Sequence, residues 1–141
     1  METIKVLFLC VHNSARSQMA EAFFNKYAPV GAIAMSAGIE PGKLNSNVVA
    51  VMQEAGIDIS ANATKSVFDL HKNKTDFSHV VTVCSKEAAD KCPVFPGISV
   101  KLHWPFDDPS SFQGAKEEVL KKTRTVRDQI EAAVKEFVKT L

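Results

Sequence analysis

Apolar residues change their spacing along this chain, and each change marks a different predicted element. Residues 4–10 form an apolar run that is typical of a strand buried on both faces of a parallel sheet. From about residue 14 to residue 27, apolar side chains recur at helical spacing, which predicts a helix lying against that sheet. Residues 32–37 predict a second strand, and Gly38 marks the turn after it. The chain therefore opens with a strand, a helix and a strand.

The alternation between strand-like and helix-like spacing of apolar residues continues to the C-terminus. Asn45 or Ser46 can cap a second helix that runs to about residue 55, where Gly56 ends it. Residues 57–60 are either a short strand or an extended connection. The remaining predicted elements are a helical turn at 66–70, a strand at 77–84, a short helix from 85 to about 92, a strand at 98–103, a loop at 104–111 and a long terminal helix whose apolar stripe covers 119–138. We expect an interruption of that last helix near Gly114.

Four strands separated by helices predict an α/β fold. We expect one domain over residues 1–141, with a four-stranded parallel sheet flanked by helices on both faces. In such sheets, ligands bind beyond the carboxyl ends of the strands. Cys10, Cys84 and the pair Asp107-Asp108 all follow predicted strands at that edge. The topology therefore gathers residues that lie far apart in the sequence.

Composition and charge exclude several classes of function. The formal net charge is +1 and 45% of the residues are hydrophobic, as in an ordinary soluble globular protein. No basic arm or stripe indicates a nucleic acid partner. The first apolar run is too short to span a bilayer, and no leader precedes it, so we expect a cytoplasmic protein that does not bind membranes. We also expect a monomer.

Three cysteines, Cys10, Cys84 and Cys92, cannot all pair within one molecule. This odd count favours reactive thiols over a structural disulfide framework. A zinc site is disfavoured because the chain has no CxxC pair and its histidines show no paired ligand spacing. Cys84 and Cys92 are close enough in sequence to form a disulfide if the segment between them moves. The alternative is that both are structural and never react.

The segment from Cys10 to Ser17 predicts a cradle for a tetrahedral oxyanion. The backbone amides that would converge on the anion belong to Val11, His12, Asn13, Ser14, Ala15 and Arg16. Together with the positive end of the following helix, they lower the pKa of the Cys10 thiol, so this sulfur is expected to be a thiolate near neutral pH. Arg16 can hold two anion oxygens in its planar fork, and the Ser17 hydroxyl can donate to the sulfur. Asn13 suits the left-handed backbone conformation of a tight loop.

Two of these residues have simpler explanations. Cys10 could be a small buried apolar residue at a strand end, although a buried thiol needs no neighbouring guanidinium. Asp108 precedes Pro109 and could simply begin a turn. Its chemical interpretation is a general acid that protonates a leaving oxygen, and Asp107 is the weaker candidate for that role.

These residues carry a resemblance to a known family. Cys10, followed after five residues by Arg16-Ser17, together with Asn13 and Asp108-Pro109, resembles the low-molecular-weight protein tyrosine phosphatase family. A fuller set is similar to its arsenate reductase branch, which is coupled to thioredoxin. That set comprises residues 13–21 (NSARSQMAE), 36–40 (SAGIE), 57–60 (IDIS), 81–84 (VTVC), Cys92-Pro93 and 103–109 (HWPFDDP). The resemblance spans nearly the whole chain and implies a flavodoxin-like strand order.

The resemblance implies a relay of the three cysteines. Cys10 attacks arsenate held by the loop and Arg16, while Asp108 protonates the departing oxygen. Cys84 then attacks Cys10 and releases arsenite, and Cys92 attacks Cys84 to move the disulfide outward. Thioredoxin would reduce that disulfide, with glutaredoxin or mycoredoxin as alternative donors, and no cofactor is implied. The competing hypotheses are a phosphatase acting on small phosphate esters and a non-catalytic module that binds oxyanions or senses redox state.

One departure from the family concerns potassium. In relatives that bind this ion beside the loop, Asn13, Glu21 and Ser36 match ligand positions, but the aspartate expected near residue 65 or 66 is replaced by Lys65-Ser66. A lysine there can supply the positive charge itself, so we predict no metal site. Ser110-Ser111 also stand where phosphotyrosine-specific members carry an aromatic pair, which argues against tyrosine phosphatase activity.

Overall fold

The computed structural model describes residues 4–84, 90 and 99–141, and it contains alternating strands and helices. The strands are β1 (Ile4–Cys10), β2 (Ala32–Gly38), β3 (His79–Thr82) and β4 (Val100–His103). The α-helices are α1 (Arg16–Tyr27), α2 (Ser46–Glu54), α3 (Val67–Lys72) and α4 (Lys116–Val138), and a 3-10 turn spans Pro109–Ser111.

The described strands form one parallel sheet in the order β2-β1-β3-β4. Strand β1 is central, and it pairs Cys10 with Gly38 of β2 and Leu9 with Thr82 of β3. From β1 the chain continues to β2 on one side, and from β2 it crosses back past β1 to β3 on the other side. The boundary between β1 and β3 is therefore the topological switch point of the sheet. The predicted four-stranded parallel α/β fold is confirmed.

Helices cover the sheet on both faces. The larger core packs β1 side chains such as Phe8 against α1, α2 and α4, with Phe23, Phe24 and Ile130 fully buried. A smaller core on the other face joins Leu7 and Leu9 to Val67 of α3 and to Phe77 and Val80. Alternate residues of β1 face opposite sides of the sheet, and both sides are covered. Nearly every position of the strand is therefore apolar.

Capping residues in the sequence correctly predicted where α2 and α3 begin. Asn45 caps α2, where its side chain accepts from the amides of Asn47 and Val48, and Gly56 follows the helix with a φ of +83°. Ser66 caps α3, which extends to Lys72 and is longer than the single turn predicted. The helix α4 is continuous from Lys116, so Gly114, with a φ of +125°, precedes this helix and does not interrupt it.

Some predicted bounds were too wide. Helix α1 begins at Arg16 and not at residue 14, because residues 11–15 form the loop that precedes it. Strand β3 covers only His79–Thr82, so Cys84 lies just beyond it. Residues 57–60 form a connection without strand pairing. Gly38 is the last residue of β2 and not a turn residue. The helix predicted from 85 to 92 lies outside the described residues, apart from residue 90.

Candidate active site

The loop of residues 11–15 is held by hydrogen bonds to its carbonyl groups. The amides of residues 39, 40, 42 and 45 donate to the carbonyl oxygens of residues 10, 11, 12 and 14, at distances between 2.8 and 3.2 Å. The backbone amides of residues 12–15 donate to none of the described residues. A loop whose carbonyls accept hydrogen bonds while its amides have no partner among the described residues is suited to binding an anion through those amides.

Asn13 fixes the shape of this loop from inside the protein. Its backbone is left-handed, with a φ of +53°, and its side chain is fully buried. Nδ2 donates to Ser17 Oγ at 2.8 Å, while Oδ1 accepts from the amide of Lys65 at 2.9 Å and from Gln18 Nε2 at 3.2 Å. Because Ser17 Oγ already accepts from Asn13, its own proton remains available for another acceptor. The predicted hydrogen bond from Ser17 to the Cys10 sulfur requires that proton.

Arg16 lies at the first position of α1 with its guanidinium oriented by the loop after β4. Nη1 donates to the carbonyl of Phe106 at 3.1 Å, and Nη2 lies 3.6 Å from Asp108 Oδ2. Nε is buried and has no hydrogen-bond partner among the described residues. A buried N–H without a partner is costly, so this donor is available to an acceptor that enters the cradle. A tetrahedral oxyanion supplies such an acceptor.

Cys10 and Cys84 come together at the switch point of the sheet. Both cysteines are buried, and Cys84 follows β3 where Cys10 ends β1. The neighbouring Cys84 side chain is the main cause that lowers the pKa of Cys10 to about 6, with further contributions from the Arg16 charge and the Val11 amide. Burial and the Asp108 charge oppose this shift. Cys10 is therefore mostly thiolate at neutral pH.

Asp108 begins the turn that the sequence suggested, and its other carboxyl oxygen faces Arg16. Oδ1 accepts from the amide of Ser110 at 2.9 Å, which caps the 3-10 turn, while Oδ2 faces Arg16. Its side chain is 35% exposed, so it borders the entrance of the cradle. Asp107 is exposed and makes none of the described hydrogen bonds or ion pairs, which agrees with its weaker candidacy. Cys92 lies outside the described residues.

Lys65 lies beside one of the residues that match potassium ligands in relatives. Lys65 Nζ lies 4.0 Å from Glu21 Oε1 and donates to the carbonyl of Ala63 at 3.2 Å, while Asn13 Oδ1 already accepts its two hydrogen bonds. Burial raises the pKa of Glu21, and the charge of Lys65 opposes that rise. Ser36 Oγ is buried and makes no hydrogen bond of ordinary geometry within the described part of the chain, although it lies near enough to Glu21 to favour the carboxylate. An ammonium therefore occupies the surroundings in which a cation would bind.

Two supporting residues were missed by the sequence analysis. Gln18 is fully buried and its Nε2 donates to Asn13 O, Asn13 Oδ1 and Ala63 O, which ties the cradle to the 62–65 segment. A glutamine on the apolar stripe of α1 was the signal that could have found it. Gly38 lies so close to the loop that a Cβ there would be 2.6 Å from Val11 O and 2.8 Å from Asn13 N. Its role is close backbone approach.

Comparison with known proteins identifies the family. The family model for the low molecular weight phosphotyrosine protein phosphatase matches residues 5–141. The chain belongs to this family. One relative is the arsenate reductase of Bacillus subtilis, with 45% identity over 141 residues that cover 99% of each chain. The resemblance seen in the sequence is confirmed at this level.

Solved structures of family members share the same fold. The arsenate reductase of Archaeoglobus fulgidus matches with a TM-score of 0.73 and 31% identity, over 95% of this chain and 98% of that chain. A thioredoxin-dependent arsenate reductase of Corynebacterium glutamicum matches with a TM-score of 0.72 and 26% identity, over 99% of this chain and 62% of that one. Among the described residues of this family member, no helix is long and apolar enough to cross a membrane.

Proposed function

We propose that this protein reduces arsenate to arsenite by a relay of three cysteines. The observation that carries the proposal is the position of a second buried thiol at the end of β1: Cys84 Sγ lies 3.8 Å from the carbonyl oxygen of Leu9, the residue before Cys10. Cys84 is also the largest cause of the lowered pKa of Cys10, which is about 6. A phosphatase needs only the first thiolate, whereas a reductase needs a second thiol within reach of it. The relatives named as arsenate reductases support the same substrate.

In the first step the Cys10 thiolate attacks arsenic(V). The amides of residues 11–16, Arg16 Nε and the Arg16 fork bind the oxygens, and Asp108 gives its proton to the oxygen that leaves as water. The product is a covalent bond between Cys10 and arsenic. Ser17 stabilises the thiolate before attack by donating its hydroxyl proton in a hydrogen bond.

In the second step the Cys84 sulfur attacks the Cys10 sulfur, and the Cys84 proton passes to an oxygen of the departing arsenic group. The electron pair of the sulfur–arsenic bond passes to arsenic, which leaves as arsenite, and a Cys10–Cys84 disulfide forms. Cys92 then attacks the Cys84 sulfur and displaces the Cys10 thiolate, which leaves a Cys84–Cys92 disulfide. The oxidation of two thiols balances the two-electron reduction of arsenic. An external dithiol, which we take to be thioredoxin as in the named Corynebacterium relative, reduces the final disulfide.

This function needs no metal or cofactor, because Lys65 supplies the positive charge beside Glu21. A relay that passes through free thiols also requires a reducing compartment, which supports a cytoplasmic location.

Replacement of each cysteine tests the relay. Cys84→Ser keeps a hydroxyl donor beside Cys10, so it removes the second nucleophile without removing the hydrogen bond that lowers the pKa of Cys10. We expect Cys84→Ser to form no arsenite, and Cys92→Ser to form about one equivalent before it stops with a Cys10–Cys84 disulfide. Peptide mass spectrometry identifies that disulfide and the Cys84–Cys92 disulfide of the parent. Unchanged multiple turnover in either variant would disprove the relay.

The electron donor is tested one protein at a time. Arsenite formation is measured with thioredoxin, glutaredoxin or mycoredoxin, each with its own reductase, and we expect thioredoxin to support multiple turnover. Conversion of many equivalents of arsenate also excludes a module that only binds oxyanions. Turnover with one of the other donors alone would replace thioredoxin in the proposal.

The second candidate is hydrolysis of small phosphate esters, which the family model and the cradle both favour. It requires Cys10, Arg16 and Asp108 but neither of the later cysteines. If the parent, Cys84→Ser and Cys92→Ser all hydrolyse an aryl phosphate efficiently while none reduces arsenate, the phosphatase is the correct function.

A further inference from the structure

The side chain of His103 bonds the main chain of Cys84. Nε2 lies 2.6 Å from the Cys84 carbonyl oxygen, and since a carbonyl only accepts, the ring nitrogen is the donor. Strand β4 pairs His103 with Thr82, and the last backbone bond between β3 and β4 runs from the Trp104 amide to the Thr82 carbonyl at 2.8 Å. Cys84 lies two residues further on, so its carbonyl faces the same neighbour. The His103 ring thus adds one hydrogen bond to the ladder after β4 has ended.

The opposite side of this segment is attached to β1. The Val83 amide donates to the Leu9 carbonyl at 3.0 Å, and Cys84 Sγ lies 3.8 Å from the same oxygen. Because Leu9 directly precedes Cys10, this contact holds the Cys84 thiol at the end of β1, and Cys84 is the largest cause of the lowered pKa of Cys10. Cys84 is therefore held from two directions, by β1 on one side and by the His103 ring on the other.

We propose that His103 is a positioning residue that keeps the Cys84 sulfur against the Cys10 sulfur. No described hydrogen bond joins His103 to residues 11–16, so its influence on the cradle passes through Cys84. The sequence offered no signal for this role, because Cys84 and His103 are separated by 19 positions and meet only through the pairing of β3 with β4.

The first test titrates Cys10 in the reduced protein without arsenate. His103→Leu replaces the ring by an apolar side chain and so removes the hydrogen-bond donor. We expect the Cys84 thiol to lose its fixed position and the pKa of Cys10 to rise. The readouts are thiolate absorbance and the pH dependence of alkylation at Cys10, followed on the Cys10 peptide. His103→Gln places an amide N–H near the position of Nε2, and this variant should titrate like the parent.

Lys101→Leu is the matched control. Lys101 lies two residues before His103 on the same strand and is exposed, so it projects from the same face of β4. Its replacement changes the surface of the strand without touching Cys84. We expect the Cys10 titration of this variant to equal that of the parent.

A double-mutant cycle separates positioning from a general structural effect. In a Cys84→Ala background, Cys10 has no thiol donor left to lose, so His103→Leu should no longer shift its pKa. A shift of equal size in both backgrounds would show that His103 acts by another route and would overturn the proposal. So would a Cys10 titration that His103→Leu leaves unchanged in the parent background.

The effect on turnover rests on the proposed function. After a single mixing with arsenate, we expect His103→Leu to form the Cys10–Cys84 disulfide about threefold to tenfold more slowly than the parent, as one neutral hydrogen bond implies. His103→Gln should recover most of that rate, and loss of rate equal to that of His103→Leu would overturn the donor role. If the parent makes no arsenite, the proposed function fails, whereas the titration still decides the role of His103.

Discussion

Arg16 Nη2 and Asp108 Oδ2 lie 3.6 Å apart, although 92 positions separate the two residues in the chain. Arg16 begins the helix after β1, and Asp108 follows β4 at the same edge of the sheet. The distance places the proposed acid beside the group that is proposed to hold the anion. Asp108 is also negatively charged when ionised, and it opposes the thiolate of Cys10.

Replacement of this carboxyl group gives a first prediction. Asp108→Asn keeps an oxygen that can accept from the Ser110 amide, so the 3-10 turn remains capped, but it removes the transferable proton. We expect formation of the Cys10 adduct to slow by about 100-fold or more in single-turnover measurements. The pKa of Cys10 should fall at the same time, because a neighbouring negative charge is lost.

In Asp108→Asn, the thiolate fraction of Cys10 should rise while the rate of adduct formation falls. A variant with more thiolate and a slower reaction has lost proton donation and not nucleophile. If it reduces arsenate as fast as the parent, Asp108 is not the acid.

The titration of Cys10 gives a second prediction, which concerns stability. The folded pKa is about 6, below the ordinary value of 9.0 that we take for the unfolded chain. The thiolate therefore stabilises the reduced protein fully above pH 9.0, and this stabilisation is lost as the pH falls through about 6. Between these values, the free energy of unfolding of the parent should rise with pH relative to that of Cys10→Ser, whose hydroxyl does not titrate.

Denaturant unfolding at several pH values between 6 and 9 measures this difference under reducing conditions. Parallel pH profiles of the parent and Cys10→Ser would contradict a lowered pKa. Alkylation of Cys10 should show its midpoint near the same pH of about 6.

Gly38 gives a third prediction, because β2 passes the cradle without room for a side chain. A Cβ at this position would lie 2.6 Å from the carbonyl oxygen of Val11, which is backbone and cannot rotate away. Gly38→Ala should destabilise the protein by about 1–3 kcal/mol, as expected for overpacking. A loop displaced by about 1 Å should also lose about 100-fold in the rate of adduct formation.

Gly42→Ala is the control for this prediction. Its added Cβ would make an ordinary contact of 3.4 Å with His12 Cβ. We expect near-parental stability and rate, measured by thermal unfolding and single turnover. Equal behaviour of the two alanine variants would show that the close approach at Gly38 does not shape the site.

Lys65 gives a fourth prediction, on cation dependence. Because its ammonium already lies near the half-buried Glu21 carboxylate, replacement of potassium by choline should change neither Tm nor arsenate turnover of the parent. Lys65→Met leaves the half-buried Glu21 without its cation and should cost about 1 kcal/mol of stability at neutral pH. Potassium should then raise the Tm of this variant more than it raises that of the parent.

Lys43→Met removes an exposed lysine and serves as the control for a general change in net charge. Its Tm should respond to potassium like that of the parent. If potassium raises the stability or the turnover of the parent protein, Lys65 does not take the place of a potassium ion.

The linear sequence determined the features that depend on neighbouring residues. The apolar run of β1 and the helical spacing of α1 predicted the two elements that flank the cradle, and Asn45, Gly56 and Ser66 marked helix ends through local hydrogen bonding and backbone preference. The spacing of Cys10, Arg16 and Ser17 predicted an anion cradle because these residues lie within a single loop and helix start.

Tertiary structure decided everything that depends on strand pairing. The order β2-β1-β3-β4 places Cys84 beside Cys10, brings Gly38 against the loop and allows the His103 ring to bond Cys84. The pKa of Cys10 depends mainly on Cys84, a residue 74 positions away, and so no local pattern could give its cause. Local signals fix elements because they act over one turn or one loop, whereas the site is made by contacts between elements that only the packed sheet brings together.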